Sequence, residues 1–553
     1  MPVITVFFNR LLSMLKGKVT KEEIISKLPY LGVDIEEIGE EYVRVEYNPN
    51  RPDFSTDYGL ARALKGLFEL ELGAPNYILY DGSLEIIVEE NIKSIRPYIV
   101  GLVAKNITLD EESIRQIISM QEDLHHGIGR DRRLVSIGFH NLDVLNPPFI
   151  YKAEDPSFSF IPLNEKKYMS MKEILESTEV GKKYFKLVKN FNKYPLLIDS
   201  KDNVLSFPPI INGELTRVDT RTKNLFVDIT ALDLKAALDS LAIITSTLID
   251  MGARVERVKV NYKNKVIFTP DMEYQYMKVN FNLIRRLIGL KLSKDEIFKC
   301  LERCRLTPFK KGRVYYVKIP RYRLDILHPV DLVEEVVLGY GLEKIVGTFP
   351  EGDYIGKKDD RLSILDNFRL ALISQGMLEV MNFSLSSKRL LYDMVNREFK
   401  DYIKVEEAKS SEHEYLRDTL IPSLLQVLSN NIHAEYPQRI FEIGKVFLLK
   451  EEGVREEYRI AVAIAHSEAD YSEAKSSLSS LLYNTFGLNF ETKPLIHPTF
   501  SYGRCASIRV NGEDIGIIGE VDPAVLENFG LRVPVALYEF SYDKLEEKFK
   551  ARR

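Results

Sequence analysis

Four carboxylate side chains fall close together in the segment RLDILHPVDLVEEVV, where they could bind a metal ion. Asp331, Glu334 and Glu335 are spaced i, i+3 and i+4, which places all three at the start of one helix. Asp331 follows Pro329 as the predicted N-cap, with Glu334 at the capping-box position, and Asp325 can approach from the preceding strand. The helix dipole offsets only about 0.3–1 kcal/mol of repulsion per charge. A hard cation with oxygen ligands, such as Mg²⁺, would neutralise the cluster.

A second interpretation of the same carboxylates needs no metal. Glu334 would then only cap the helix, while Glu335 would be solvated or would pair with Arg321 or Arg323. On the chemistry of the residues alone, both interpretations stay open.

The elements that would position these side chains occur twice in the chain. FNRLLSMLKGKVTKEEIISKL (Phe8–Leu28) aligns without gaps to FNLIRRLIGLKLSKDEIFKCL (Phe281–Leu301). In each copy a Ser or Thr is followed three residues later by Glu, the capping box that opens an amphipathic helix. A strand-like run and a second helix follow in both copies. The sequence therefore predicts two copies of one small helix–strand–helix module, which is winged-helix-like.

The first copy serves as an internal control for the second. It keeps an Arg-x-Asp sequence at Arg51 and Asp53 and has Asp57 ahead of its second helix, but GLARALKG stands where the glutamate pair would be. That helix therefore forms without paired glutamates. Because the pair is an addition to the second copy alone, a functional role for it is favoured.

With PRYR before it and GYG after it, the Asp-x5-Asp-x2-Glu-Glu spacing resembles the magnesium-binding module of the phenylalanyl-tRNA synthetase β subunit, in its archaeal and eukaryotic cytosolic form. NPNRPD with GLARAL resembles the N-terminal module of that family. The resemblance covers nearly the whole chain. It implies Mg²⁺ held by Asp325, Asp331, Glu334 and Glu335 near the contact with a catalytic α subunit. It also implies an α2β2 heterotetramer that binds tRNA specific for phenylalanine.

The middle of the chain contains candidate groups for hydrolysis. In PPIINGELTRVDTRTKNLFVDITAL, Glu214 could act as a general base or position a water, and a strand carries Asp228 and Thr230, of which Thr230 could contact a substrate. The alternative is a turn glutamate and a helix-capping Asp/Thr pair. This stretch resembles the editing domain of the same family, which removes tyrosine mischarged onto the tRNA. A hydrophobic pocket rejects an added hydroxyl only by about 10², so a second hydrolytic site is required.

A block rich in histidine and arginine precedes that stretch. QEDLHHGIGRDRRLVSIGFHNLD resembles the archaeal and eukaryotic version of the editing domain. The resemblance implies that its basic side chains, with Asp228, line the pocket or hold the tRNA end; they are His125, His126, Arg130, Arg133 and His140. The alternatives are a solvated loop for the arginines and structural roles for the histidines.

The last part of the chain resembles a class II synthetase domain that has lost its chemistry. PQRIFEIGKVF resembles the second class II motif, with Arg439 as a remnant of the arginine that stabilises adenylation. Near FGLRVPVALYEFSYDKL, Arg532 is present, but the Gly-x-Gly-x-Gly and the closing Glu-Arg are absent. The resemblance therefore implies that ATP is used by the complex and bound mainly by the α subunit.

Composition excludes several classes of protein. Hydrophobic residues make up 45% and charged residues 28%, as in ordinary folded proteins, and no apolar run is long enough for a membrane span. The net charge of −5 argues against a protein that coats nucleic acid with its whole surface. The three cysteines form no CxxC pair, which excludes a cysteine zinc site and favours a reducing cytoplasm.

We therefore predict an α+β multidomain fold. Its domains are an N-terminal module (1–80), a mixed α/β editing domain (84–262), a metal-binding module (266–346) and a class II-like domain built on an antiparallel sheet (355–549). The predicted function is that of a β subunit that supports ATP-dependent attachment of phenylalanine to its tRNA and hydrolyses mischarged Tyr-tRNA. A self-contained synthetase and a tRNA-binding scaffold without editing are the competing hypotheses.

Overall fold

Alternating and helical runs of the sequence form a mixed α/β, multidomain chain with several separate sheets. The structure, a computed structural model, describes residues 2–350, 352, 355–400 and 402–550. The chain divides into two units, Met1–Phe349 and Pro350–Arg553. Within the described ranges, no helix is long and apolar enough to cross a membrane. All three cysteines are free thiols.

The first unit begins with a three-stranded antiparallel sheet in the order β1-β3-β2. Its elements are β1 (Val3–Phe7), α1 (Phe8–Met14), α2 (Lys21–Lys27), β2 (Val33–Ile38), β3 (Tyr42–Tyr47) and α3 (Asp57–Leu67). The helix–strand–helix prediction missed two strands here. Acidic side chains obscure the apolar alternation of β2, and β1 precedes the aligned repeat. The capping box of Thr20 with Glu23 is present at the start of α2, as predicted.

A ten-stranded mixed sheet follows, in the order β12-β11-β10-β7-β4-β14-β5-β13-β6, with β15 paired to β14. Helices α4 and α7 pack their apolar sides on one face of it. The elements are β4 (Tyr80–Val88), β5 (Tyr98–Lys105), α4 (Glu111–His126), β6 (Val135–Asn141), β7 (Phe149–Glu154), β8 (Ser159–Phe160), β9 (Met169–Ser170), α5 (Met171–Ser177), α6 (Glu179–Tyr184), β10 (Tyr194–Ile198), β11 (Val204–Phe207), β12 (Ile211–Asn212), β13 (Leu225–Ala231), α7 (Leu234–Asp250), β14 (Arg254–Tyr262) and β15 (Lys265–Thr269).

The first unit ends with a second three-stranded sheet, in the order β16-β18-β17. Its elements follow the same sequence as those of the first small sheet: β16 (Gln275–Lys278), α8 (Phe281–Ile288), α9 (Lys294–Arg303), β17 (Thr307–Lys311), β18 (Val314–Ile319) and α10 (Pro329–Tyr340). The predicted capping box of Ser293 with Glu296 opens α9.

The second unit is built on a seven-stranded sheet in the order β19-β23-β24-β28-β27-β26-β25, antiparallel except where β19 pairs with β23. Alternate residues of β24 face two cores: Val462 packs with α11, α13 and α15, and Ala461 and Ala463 pack with α12 and α14. The elements are α11 (Asp360–Ser374), β19 (Leu378–Glu379), β20 (Leu385–Ser386), β21 (Ile403–Lys404), β22 (Tyr415–Leu416), α12 (Ile421–Asn430), β23 (Gln438–Lys450), β24 (Gly453–Ala465), α13 (Tyr471–Phe486), β25 (Glu491–Pro494), β26 (Phe500–Val510), β27 (Glu513–Val521), α14 (Pro523–Asn528), β28 (Val535–Ser541) and α15 (Tyr542–Lys550).

Candidate functional site

The start of α10 positions the carboxylate cluster, but not by the predicted cap. His328 is the N-cap and Pro329 is the first helical residue, a position where proline costs no hydrogen bond. Asp331 lies one turn inside the helix and accepts from the backbone N–H groups of Leu327 and His328, at 2.7 and 2.6 Å. The prediction of Asp331 as N-cap, with Glu334 at the capping-box position, was therefore wrong.

Arg323 is the centre of the cluster. Its guanidinium, buried with 2% of its side chain exposed, donates to both oxygens of Asp325 at 2.9 and 2.7 Å. It also donates to both oxygens of Glu335 at 3.1 and 2.5 Å. Burial alone would raise the pKa of Asp325, but the arginine lowers it to about 2. The ion-pair alternative for Glu335 is thus the arrangement found.

Glu334 lies in the field of the other three carboxylates. Burial, followed by the charges of Glu335, Asp325 and Asp331, raises the pKa of Glu334. The four predicted ligands are therefore close enough to interact, as their spacing indicated. Across the described residues, however, no three His, Cys, Asp or Glu side chains are placed to hold a metal ion together. The four carboxylates thus supply negative charge that would attract a cation. The described residues of this chain do not, however, supply a complete set of metal ligands.

The first copy of the module contains the same Arg-x-Asp pair without the glutamates. Arg51 donates to both oxygens of Asp53 at 2.9 Å, and the Asp53 side chain is 2% exposed. Asp57, at the start of α3, accepts from Arg10 at 2.7 Å instead of joining that pair. The Arg-x-Asp pair is thus a shared feature of both copies, and Glu335 is what the second copy adds to it.

A polar cavity of about 230 Å³ lies beside the ten-stranded sheet. Strands β6, β11, β12 and β13 and helix α4 supply much of its wall, and loops complete it. Its polar lining consists of Gln121, Glu122, Arg132, Ser136, Asn164, Ser206, Asn212 and Asp228. The Ser206 hydroxyl is buried and has no hydrogen-bond partner among the described residues. The cavity is large enough for a small polar ligand and offers it several hydrogen-bonding groups.

Asp228 is held in the cavity wall by a buried chain of hydrogen bonds. Its Oδ1 lies 2.7 Å from His140 Nε2, and His140 Nδ1 lies 2.8 Å from the Thr216 hydroxyl. A Cβ atom at Gly138 would lie 2.5 Å from that Asp228 oxygen and 2.6 Å from His140 Nε2. Only glycine therefore allows the aspartate and the histidine to meet across this part of the sheet.

The two predicted catalytic residues are not in the cavity wall. Glu214 accepts from Arg217 at 2.7 Å and from the backbone N–H of Asn164 at 2.8 Å, and the arginine lowers the pKa of Glu214. The buried Thr230 hydroxyl accepts from Arg96 at 2.9 Å. Glu214 thus holds a loop residue that lines the cavity, and Thr230 lies next to the strand residues that do.

The predicted tRNA-binding residues divide into buried and exposed groups. His125 is buried; its Nε2 accepts from the Ile137 N–H at 2.8 Å, and burial lowers its pKa. His126, Arg130 and Arg133 are exposed. Among the basic side chains of this block, the one that lines the cavity is Arg132, which the sequence-based prediction missed. It donates to Glu122 at 2.8 Å and to the Ile210 carbonyl at 2.9 Å.

In the second unit, the candidate α-phosphate arginine has another partner. Arg439 on β23 donates to Glu473 of α13 at 2.8 Å. Arg532 is exposed. The ion pair with Glu473 therefore occupies Arg439.

Proteins of known sequence and structure are similar to the chain along most of its length. A profile described as tRNA synthetase B5 domain matches residues 277–342, and one described as phenylalanyl tRNA synthetase beta chain CLM domain matches residues 345–542. The phenylalanine–tRNA ligase beta subunit of Archaeoglobus fulgidus is 39% identical over 542 residues, with 98% of each chain covered. That of Methanococcoides burtonii is 37% identical, covering 98% of this chain and 99% of the relative.

A solved structure supports the same assignment. The crystal structure of an N-terminal fragment of the phenylalanyl-tRNA synthetase β-subunit from Pyrococcus horikoshii is 36% identical and superposes with a TM-score of 0.60. It covers 61% of this chain and 99% of the fragment. The identity and coverage of these relatives leave one assignment: the chain belongs to the family of phenylalanine–tRNA ligase β subunits.

Proposed function

We propose that the chain works as the β subunit of a phenylalanine–tRNA ligase and hydrolyses Tyr-tRNA made in error by the same complex. In this proposal the α subunit binds ATP and attaches phenylalanine, and two copies of each subunit form the enzyme. Family membership supports the subunit role. The observation that carries the hydrolytic role is the polar cavity with Asp228 and Ser206 in its wall.

The cavity is suited to recognise a phenolic hydroxyl. His140 engages Oδ1 of Asp228, so Oδ2 is the oxygen available to a ligand, and the Ser206 hydroxyl is a buried group in need of a partner. A tyrosine hydroxyl would satisfy both, whereas a phenylalanine side chain would leave them unpaired. A site built to bond a hydroxyl rejects the analogue that lacks it by about 10⁴–10⁵. Correctly charged tRNA would therefore escape hydrolysis.

The test is deacylation of Tyr-tRNA specific for phenylalanine by the purified complex. Asp228→Asn and Ser206→Ala should each lower kcat/KM for Tyr-tRNA by about 10- to 100-fold, which corresponds to one lost hydrogen bond to a buried polar or charged group. Aminoacylation with phenylalanine by the same variants serves as the control for folding. A parent complex that deacylates nothing would overturn the proposal and leave a tRNA-binding scaffold.

Glu214 and Thr230 remain candidates for the hydrolytic step, but in this proposal they position other residues and do not contact the substrate. Glu214→Ala would release Asn164, and Thr230→Val would remove a partner of Arg96. Both variants should reduce deacylation less than Asp228→Asn does. An effect of Glu214→Ala larger than that of Asp228→Asn would restore the glutamate as the general base. His126, Arg130 and Arg133 are exposed and fit contacts with the phosphates of the tRNA end.

We also propose that Asp325, Asp331, Glu334 and Glu335 are this chain's contribution to a Mg²⁺ site completed in the assembled enzyme. Four carboxylates around Arg323 keep an excess of negative charge, and burial together with that charge raises the pKa of Glu334. Because three side chains do not converge on one point, the isolated chain should bind Mg²⁺ weakly. Metal analysis of the complex should find Mg²⁺ that Glu334→Gln removes. Equal metal content in the parent and in Glu334→Gln would contradict the assignment.

The surface proposed to meet the α subunit is the apolar side of α11 and the chain that follows it. Its most exposed side chains are large and apolar: Leu370 at 64%, Leu378 at 68%, Met381 at 93% and Phe383 at 79%. An exposed patch of this kind is typical of an interface. Met381→Lys with Phe383→Lys should dissociate the complex in analytical ultracentrifugation while leaving circular dichroism unchanged. The cytoplasmic location expected from the sequence stays a prediction.

A further inference from the structure

The outer face of the second small sheet combines aromatic rings with lysines. Met277, Tyr315 and Val317 face the core under α8, α9 and α10, so their neighbours along the strands face outward. The outward side chains include Tyr276, Lys278, Phe309, Tyr316 and Lys318. Tyr276 is 59% exposed. Its ring lies 5.8 Å from that of Phe309, which lies 5.8 Å from that of Tyr316 in a stacked arrangement.

The charge of these strands differs from that of the chain. Their sequences, QYMK, TPFKK and VYYVKI, contain four lysines and no Asp or Glu, although the chain as a whole carries −5. Arg313 adds a further positive charge in the turn between β17 and β18. Strand register places Lys278, Lys311 and Lys318 on the outer face, whereas Lys310 lies on the side of Tyr315. The outer face is thus a row of rings with cations around it.

The first copy of the module provides a matched comparison. Strand register places Val3, Thr5, Glu37, Arg44 and Glu46 at the positions of Tyr276, Lys278, Phe309, Tyr316 and Lys318. In the first copy those five positions hold no aromatic ring and a net charge of −1, from one Arg and two Glu. In the second copy they hold three aromatic rings and a net charge of +2, from two Lys. The outward rings of the first copy, Phe7 and Tyr42, lie further along the strands. The core of the module therefore does not require the rings.

We propose that this face binds single-stranded RNA, with bases stacked on Tyr276, Phe309 and Tyr316 and phosphates on the lysines. Every unpaired base has a flat face that stacks on an aromatic ring, whereas bases inside a duplex are covered by their neighbours. Lysines beside the rings match the negative charge of the backbone. A tRNA presents such unpaired stretches in its loops and at its 3′ end. The proposal does not depend on hydrolysis in the polar cavity.

The chain contains no tryptophan, so one substitution supplies a specific reporter. Tyr276→Trp keeps an aromatic surface and adds the only indole to the full-length chain. A mixed-sequence octanucleotide RNA should quench its fluorescence, and an eight-base-pair RNA duplex should not. Three phosphate contacts predict a slope of about −2 for log K against log salt concentration.

Further substitutions in the reporter chain separate binding from folding. Phe309→Ala and Tyr316→Ala should each weaken binding by about 5- to 150-fold, while Phe309→Tyr should retain it. Arg44→Ala, at the position in the first copy that matches Tyr316, should have no effect. Circular dichroism melting identifies any variant that fails to fold. If an alanine variant fails, the test compares RNA binding by Phe309→Tyr with RNA binding by Lys318→Glu, which replaces a positive charge of the face with a negative one.

Four results would overturn the proposal. They are no quenching by the octanucleotide, equal affinity for the duplex, unchanged affinity in both alanine variants, and burial of the reporter by the α subunit in the purified complex. The last result, read from loss of acrylamide quenching when the α subunit is added, would make this face a protein interface.

Discussion

Replacing Arg323 with Met should destabilise the first unit far more than an ordinary surface change. The guanidinium is buried and neutralises two carboxylates, whose side chains are 13% exposed for Asp325 and 7% for Glu335. Methionine preserves much of the side-chain volume but removes the hydrogen-bonded cation that the two carboxylates share, while the charge of Arg51 still acts on Asp325. Breaking a buried ion pair by removing one partner costs about 3–5 kcal/mol. We expect a loss of that size in the free energy of unfolding.

The pH dependence gives a second estimate of the same interaction. A pKa of about 2 for Asp325, against the ordinary 3.8, corresponds to about 2 kcal/mol of stability. Because the pKa is lowered on folding, this stability is fully present above the ordinary pKa and is lost as the pH falls through 2. In Arg323→Met, burial still raises the pKa of Asp325, and the charge of Arg51 is left to lower it. The difference between parent and variant should therefore be largest near pH 7 and smaller near pH 4.

The assay is urea unfolding of the full-length chain, followed by circular dichroism at both pH values. Arg51→Met is the comparison variant. Arg51 donates only to Asp53, although its charge also helps to lower the pKa of Asp325, so its loss breaks one bidentate ion pair where Arg323→Met breaks two and should cost less. Adding Glu335→Gln to Arg323→Met should recover part of the loss, since it removes one of the unpaired charges. Equal losses for the Arg323 and Arg51 variants, or a loss below about 1 kcal/mol, would refute the reasoning.

Three further predictions concern single positions. Gly138→Ala should abolish deacylation of Tyr-tRNA but not phenylalanylation, because its methyl group would force the cavity aspartate and histidine apart. Gly66→Ala should cost about 1–3 kcal/mol in urea unfolding, since a Cβ there would lie 2.0 Å from the Arg303 carbonyl oxygen, whereas Gly347→Ala, in open space, should be neutral. Burial lowers the pKa of His497 to about 4, so stability should fall as the pH drops from about 6.5 towards 4, and His497→Phe should remove that slope.

Local features of the fold could be predicted from sequence because neighbouring residues determine them. Both repeated capping boxes are present, since a Ser or Thr and a Glu three residues later need only each other. The start of α10 was misassigned for an equally local reason. Two candidate caps compete there, and His328 before Pro329 satisfies the first turn better than Asp331 does.

The polar cavity could not be predicted because its wall comes from strands that are distant in sequence. Ser136 on β6 and Asp228 on β13 meet because β13 pairs with β6, and β11 and β12 approach from the other end of the same sheet. Nothing in one sequence specifies that order of strands. Glu214 was a reasonable candidate for the general base because it is a carboxylate. In the fold, however, Glu214 pairs with Arg217, and Ser206 lines the cavity.

The duplicated module separates what folding requires from what function adds. Both copies keep buried apolar strands, a capping box and an Arg-x-Asp pair, so these features belong to the shared fold. The second copy differs in two places, the glutamates of α10 and the aromatic face of its sheet. Since the first copy is folded without either, stability of the module does not explain them. A metal at the helix and RNA on the sheet are separate hypotheses for these two additions, and a variant of one should leave the other unchanged.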